Sequence, residues 1–183
     1  SITIQQLKDD GFDAIFICSG AGLPKMMHIK GENLNGVFSA NEFLTRVNLM
    51  GAGRDKDSIT PLRVGKKVAV IGGGNVAMDA ARSALRCGAK DVRIVYRRRQ
   101  EDMTALVTEI ESAVMEGIEL MPLQAPVRIE TNENNDCTGL WIQPQMIGPY
   151  RGGRPAPLNA ESKPEEMIPC DVILIAVGQD IVS

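Results

Sequence analysis

An α/β fold built on a central parallel sheet is predicted by three observations on this chain. At residues 68–77 an apolar strand runs into a glycine turn and then a helix; over residues 92–121 strand and helix patterns alternate; and residues 171–178 form a near-continuous apolar run, as in a strand covered on both faces. After Pro122 the pattern becomes that of an antiparallel β-hairpin, an excursion from the sheet.

In chain order, residues 4–10 are helix-like, and residues 12–22, with Phe12, Ile15, Phe16, Ile17 and Cys18 among small residues, predict a buried strand over 12–18. Residues 23–37 carry Pro24, Gly31, Asn33, Asn35 and Gly36, which is loop chemistry, ahead of a helix over about 40–50 and a polar connector at 51–61. The central unit is a strand at 68–71, a helix at 76–86 and a strand at 92–96. Ala77, Ala80, Ala81, Ala84 and Leu85 give its helix an apolar face of mostly small side chains that lets it lie close to the sheet. A second helix over about 104–116 presents Leu106, Ile110, Ala113 and Val114 and stops at Gly117, a suitable cap, before a short strand at 118–121. Strands at 127–130 and 140–147 flank the turn Asn132-Glu133-Asn134-Asn135-Asp136, and residues 148–169, rich in Pro, Gly and charge, predict a surface excursion.

Inside the central unit, Gly72-Gly73-Gly74-Asn75-Val76-Ala77 matches G-x-G-x-x-A, the dinucleotide fingerprint. Gly72 permits the tight turn, Gly74 lets a pyrophosphate approach the backbone, and Ala77 allows close helix–strand packing. The helix start then offers free N–H groups and the positive end of a dipole to the phosphates. The expected class becomes a Rossmann-like three-layer NAD(P)-binding domain with a central parallel sheet and an antiparallel β-hairpin excursion. About twenty residues further on, where NAD enzymes place an acid on the ribose hydroxyls, the chain has Tyr96-Arg97-Arg98-Arg99. Guanidinium groups pair with a 2′-phosphate in bidentate fashion, so NADPH is the expected cofactor, with Arg97 and Arg98 as its contacts and Arg99 facing solvent. A charge run is more often a solvated strand end; its place after the second strand of a fingerprinted unit favours phosphate contact. Asn75 has two readings, a pyrophosphate contact or a helix cap. Ala176, Val177 and Gly178 likewise read either as neighbours of the nicotinamide end or as the end of a buried strand.

The chain has 183 residues, 20 basic and 23 acidic, for a net charge of −3, which gives the molecule as a whole no reason to bind nucleic acid or an acidic membrane surface. With no apolar run long enough to cross a bilayer and no secretory pattern at the start, a cytoplasmic location is expected. Cys18, Cys87, Cys137 and Cys170 are scattered without a C-x-x-C and are expected to be buried, inert thiols; no metal ligand set is indicated. His28, the single histidine, is expected in a loop without an acid–base partner. Asp79 is placed on the side facing a neighbouring domain, and Trp141 and the methionines in a core or interface.

These stretches resemble the small (beta) subunit of NADPH-dependent glutamate synthase and its relatives, flavoproteins of the FAD/NAD(P)-dependent pyridine nucleotide oxidoreductase superfamily. Residues 12–24, 31–37 and 39–44 resemble the segment that leaves the FAD domain; residues 70–82 resemble the NADPH fingerprint; Tyr96-Arg97-Arg98 followed by Met103 resembles the family's Tyr-Arg-Arg…Met-Pro-Ala stretch, with Thr104 in place of the usual proline; and residues 171–178 resemble the return to the FAD domain. The resemblance implies that an NADPH-binding domain is inserted within an FAD domain, with residues 1–62 as the segment leaving the FAD domain plus a connector and residues 63–183 as the NADPH-binding domain. Lacking a second glycine fingerprint and a cysteine cluster, the chain is expected to be the insert alone, a fragment inactive by itself, with Ser1 a cloning remnant. The full-length enzyme is expected to hold FAD, to work with a large or iron–sulfur partner subunit, and to pass hydride from NADPH to FAD and electrons onward to iron–sulfur centres, as in glutamate biosynthesis. No catalytic residue is assigned, because the cofactors carry the chemistry.

A self-contained NADP-dependent dehydrogenase would need a proton donor near its carbonyl substrate, yet neither Tyr96 nor Tyr150 is followed by Lys four residues later and no substrate domain follows. A non-enzymatic nucleotide-binding module is the other alternative. The predicted strand at 12–18, away from FAD-domain elements, is expected to expose apolar surface and promote homo-oligomers.

Overall fold

Alternate residues of one strand set the layering. In the computed structural model, which describes residues 2–18, 20–53 and 58–181, Val68 and Val70 of the central strand join one hydrophobic cluster while Ala69 and Ile71 join another on the opposite face. Ser1, Ser19 and the 54–57 part of the expected connector lie outside the described residues. The elements are α1 (Ile4–Asp9), β1 (Leu23–Pro24), β2 (Val37–Ser39), α2 (Ala40–Asn48), β3 (Lys67–Ile71), α3 (Asn75–Arg86), β4 (Asp91–Tyr96), α4 (Val107–Met115), β5 (Glu119–Pro122), β6 (Gln124–Thr131), β7 (Cys137–Arg151), β8 (Arg154–Asn159), β9 (Glu166–Pro169), β10 (Val172–Ile175) and β11 (Gln179–Asp180).

The central sheet is parallel, in the order β2-β10-β3-β4-β5. Helices α2, α3 and α4 cover one face, meeting it through Phe43, Val47, Ile110, Ala113 and the α3 alanines Ala77, Ala80, Ala81 and Ala84, all four fully buried. Antiparallel strands β6 to β9 cover the other, packing Ile129, Leu140, Ile142 and Ile168 on Ile173 and Ile175. This is the expected three-layer α/β arrangement. Buried from both sides, Val172, Ile173 and Leu174 each contribute about 1.5–3 kcal/mol of apolar burial, which is why the last strand reads as a continuous apolar run.

Helices α3 and α4 end alike. Gly88 and Gly117 take left-handed φ values of 109° and 93°, and the paired bonds Ala89 N to Ala84 O and Ile118 N to Ala113 O close both last turns. The hairpin turn is held by Asn132, whose Oδ1 accepts from Asn134 N at 2.9 Å and Asp136 N at 3.0 Å.

Four expectations are corrected. Residues 12–18 form no strand: Phe12, Phe16 and Ile17 stand exposed and no described strand lies beside them to pair their backbone. The expected helix at 104–116 starts only at Val107, because the N–H groups of Thr104 and Ala105 are drawn to the Gly73 carbonyl at 2.9 and 3.0 Å and that of Leu106 to Asn75 Oδ1 at 2.9 Å. Leu106 therefore precedes the helix and is exposed with Val114, leaving Ile110 and Ala113 as the buried face. The excursion at 148–169 contains two strands, β8 and β9, both paired to β7; Pro155 and Pro157 are tolerated because β8 is an edge strand. Of the cysteines, Cys137 and Cys170 are buried and Cys87 half-buried, but Cys18 is exposed. The Cys137 Sγ donates to the Cys170 carbonyl, and the hydrogen-bonded neighbour together with burial pushes the Cys170 thiol well up, so it is an inert packing group as expected. No helix among the described residues is long and apolar enough to cross a membrane.

Candidate functional site

Strand β3 ends at Ile71 and the chain turns at Gly72 into α3, while β10, its neighbour on the other side from β4, ends beside it at Ile175. The sheet thus reverses its direction of growth between β3 and β10, and the crevice beyond their carboxyl ends is where ligands of such sheets bind. A cavity of about 710 Å³ opens there, within the usual range for a cofactor site.

Two glycines are required by packing. Gly72 has φ +150° and a Cβ there would overlap the Ala176 carbonyl, since Ala176 N donates to Ile71 O across the same step. At Gly73 a Cβ would sit 2.6 Å from the Tyr96 ring, which is itself fixed by its hydroxyl donating to Asp102 O at 2.8 Å. Gly74 is the N-cap of α3 and faces the cavity. The N–H groups of Asn75 and Val76 have no acceptor among the described residues, so two donors and the positive end of a three-turn helix face the cavity. Ala77 is fully buried and lets α3 pack on the sheet.

The residues singled out from sequence converge. Gly72, Gly73, Gly74, Asn75, Val76, Arg97, Arg98, Ala176, Val177 and Gly178 all line the cavity, and only Ala77 lies behind it. Asn75 is the first helical residue rather than a cap of its own helix; its side chain instead holds the loop before α4. Thr104 lines the cavity too, and its N–H bond to Gly73 is one a proline could not make. Asp79 is exposed. His28 is an exposed loop residue with φ 59°, next to Met27 and Ile29, which do line the cavity. The backbone at Met27 and His28 is held by Glu32, whose carboxylate accepts from Met27 N and His28 N.

The three consecutive arginines separate. Arg97 is exposed at the cavity, and Arg98 donates from Nε to Pro155 O at 3.0 Å while lining it. Arg99 turns away and, contrary to expectation, is not a free solvent-facing charge: it makes a bidentate pair with Asp102 at 2.8 and 3.0 Å and reaches Glu101 and Tyr150. That hydrogen bond lowers the Asp102 carboxyl and raises the Arg99 guanidinium, so both remain charged.

Sequence reasoning missed Arg154, Lys25 and Gln179 in the lining. Lys25 pairs with Asp180 at 2.9 Å, and the Gln179 Nε2 is buried without a hydrogen-bond partner among the described residues. The Gly152-Gly153 pair between arginines was the only signal for Arg154; it marks a tight hairpin but does not say where the hairpin lies.

A dinucleotide phosphate chain fits this arrangement, with N–H groups at a glycine turn that are unpaired among the described residues and cationic side chains lining the same cavity. Comparison with known proteins agrees with the fold. The family described as pyridine nucleotide-disulphide oxidoreductase matches residues 2–183. The chain is 36% identical over 180 residues to the NADP(+)-dependent formate dehydrogenase subunit beta of Moorella thermoacetica, covering 97% of this chain and 24% of that protein. It is 34% identical over 171 residues to the NADPH glutamate synthase small chain of Escherichia coli, covering 91% of this chain and 36% of that one. It thus spans about a quarter to a third of these curated relatives. Among solved structures, Mycobacterium tuberculosis FprA in complex with NADPH superposes with TM-score 0.76 at 18% identity, over 97% of this chain and 52% of that one. The chain belongs to the pyridine nucleotide-disulphide oxidoreductase family, as a domain related to the small subunit of glutamate synthase.

Proposed function

We propose that this chain is the NADPH-binding domain of a flavin-dependent oxidoreductase resembling the glutamate synthase small subunit. The pyrophosphate lies on the turn at Gly72 to Gly74 and the N–H groups of Asn75 and Val76, the 2′-phosphate on Arg97 and Arg98, and the nicotinamide end beside Ala176, Val177 and Gly178. The observation that carries this reading is the meeting, at one cavity, of the glycine turn and arginines that have no carboxylate partner among the described residues. Bound NADPH supplies hydride to an FAD held by the rest of the protein. This chain's residues bind and orient the dinucleotide, and the electrons pass onward to iron–sulfur centres of the same enzyme or a partner subunit.

Residues 1–62 are assigned to the connection with the FAD domain and residues 63–183 to the nucleotide-binding unit, into whose core β2 and α2 also pack. Support for an inserted domain comes from β1 and β11, which run antiparallel with Leu23 opposite Asp180 and Pro24 opposite Gln179, so the chain arrives and leaves side by side. The test is calorimetric titration with NADPH and NADH of the wild type, Arg97→Ala and Arg98→Ala. NADPH is expected to bind more tightly and to lose roughly ten-fold to a hundred-fold in each variant, with NADH unchanged. Equal affinities for the two nucleotides would overturn the assignment.

A further inference from the structure

We propose that Arg154, on the antiparallel layer, is a third phosphate ligand of this site, so that specificity for a 2′-phosphorylated nucleotide comes from both the βαβ unit and the β7–β8 hairpin. The proposal deepens the NADPH reading and rests on it.

The argument starts from counter-charges. Arg46, Arg63, Arg82, Arg86, Arg93, Arg99 and Arg128 each pair with a carboxylate. Among the described residues Arg97, Arg98, Arg151 and Arg154 do not, and the hydrogen bond from Arg98 to Pro155 O joins the two distant stretches of sequence that carry them. Three of the four, Arg97, Arg98 and Arg154, line the same cavity. Arg151 does not line it.

The hairpin is tied to the arginine loop, not merely near it. Arg98 Nε donates to Pro155 O at 3.0 Å, and Arg99 Nη2 donates to the Tyr150 hydroxyl at 3.4 Å; Tyr150 and Pro155 are cross-strand partners. One residue further along, Arg151 faces Arg154 across the Gly152-Gly153 turn. Like charges directly opposite on a sheet repel and destabilise it, so Arg154 stands in an unfavourable pair whose repulsion an anion bound at Arg154 alone would ease. A phosphate dianion with several acceptor oxygens suits convergent guanidinium groups.

Arg151 supplies a matched control, with the same charge on the same turn but outside the cavity. In the full-length protein, NADP+ and NAD+ are titrated calorimetrically into the wild type, Arg154→Ala, Arg154→Lys, Arg151→Ala and Arg97→Ala, with thermal unfolding of each variant alongside. Arg154→Ala is expected to weaken NADP+ by about ten-fold or more and to leave NAD+ unchanged, Arg154→Lys to recover part of the loss, and Arg151→Ala to leave both nucleotides near wild type. Unfolding temperatures without nucleotide are expected not to fall in Arg154→Ala, since a repulsive pair is relieved. If Arg97→Ala loses NADP+ affinity while Arg154→Ala matches Arg151→Ala, the hairpin ligand is refuted and the NADPH reading stands. If Arg97→Ala also binds NADP+ like the wild type, both are refuted.

Discussion

Two groups of arginines on this domain differ in whether their counter-charge is built into the fold. On the helical face, Arg82 of α3 reaches Glu109 at 2.7 Å and Glu116 at 2.8 Å, and Arg86 shares Glu116, so the cluster clamps α3 to the segment of α4 and its cap. Hydrogen bonding to Arg82 lowers the Glu116 carboxyl below its ordinary range and raises the Arg82 guanidinium, so each holds the other charged. At the cavity, Arg97, Arg98 and Arg154 have no carboxylate partner among the described residues. The same side chain is a fastener where the chain supplies the acid and a receptor where an anion must come from outside.

The contrast breaks most visibly if the receptor arginines are removed together. Arg97→Ala combined with Arg98→Ala is expected to cost about 3 kcal/mol or more of NADPH binding, upwards of a hundred-fold, with little change in unfolding by urea. Calorimetry and a denaturation curve on the same sample check both halves. An equal loss of NADH affinity would mean that these side chains shape the pocket and do not read the 2′-phosphate.

The fastener should behave in the opposite way. Arg82→Ala is expected to lower stability by about 1 kcal/mol and to leave nucleotide affinity unchanged, read from the urea midpoint and a titration. Its acid partner gives a pH test. Because Glu116 is lowered in the folded state, its contribution is fully present above the ordinary value of 4.5 and is lost as pH falls through the folded value. Glu116→Gln should therefore destabilise the domain at neutral pH and flatten the decline of stability in that acid window. Parallel curves for variant and wild type would show that the clamp has no energetic role.

The smallest effect is expected at Asp102→Asn, which converts a fastened arginine toward a free one. Releasing Arg99 beside Tyr150 should raise NADPH affinity slightly, more at low salt than at high salt, in titrations at two ionic strengths. A fall in affinity would indicate that the Arg99–Asp102 pair is needed to shape the arginine loop.

The two covered faces of the sheet were unequally legible. The βαβ unit was readable because its signals are local: a continuous apolar run in β3, alanines at helical spacing in α3, and a glycine turn whose demands are steric. Strands β8 and β9 were not, since Pro155, Pro157 and Pro169 argue against a strand until it is known that each pairs with β7 on one side. Phe12, Phe16 and Ile17 misled in the other direction, since apolar composition predicts a strand but a strand also needs a neighbour for its backbone. The helix start at Val107 was set by the Gly73 carbonyl and the Asn75 side chain, more than thirty residues earlier in the chain.

By itself the sequence determined the α/β class, the fingerprint turn and the local position of Arg97 and Arg98, because backbone sterics and side-chain periodicity act over a few residues. Tertiary structure alone decided that Arg99 is neutralised by Asp102 while Arg154 enters the cavity, and that Asn75 serves the start of α4. Those outcomes depend on which strand lies against which, and a charge is free or paired according to what the rest of the chain brings within a few ångströms of it.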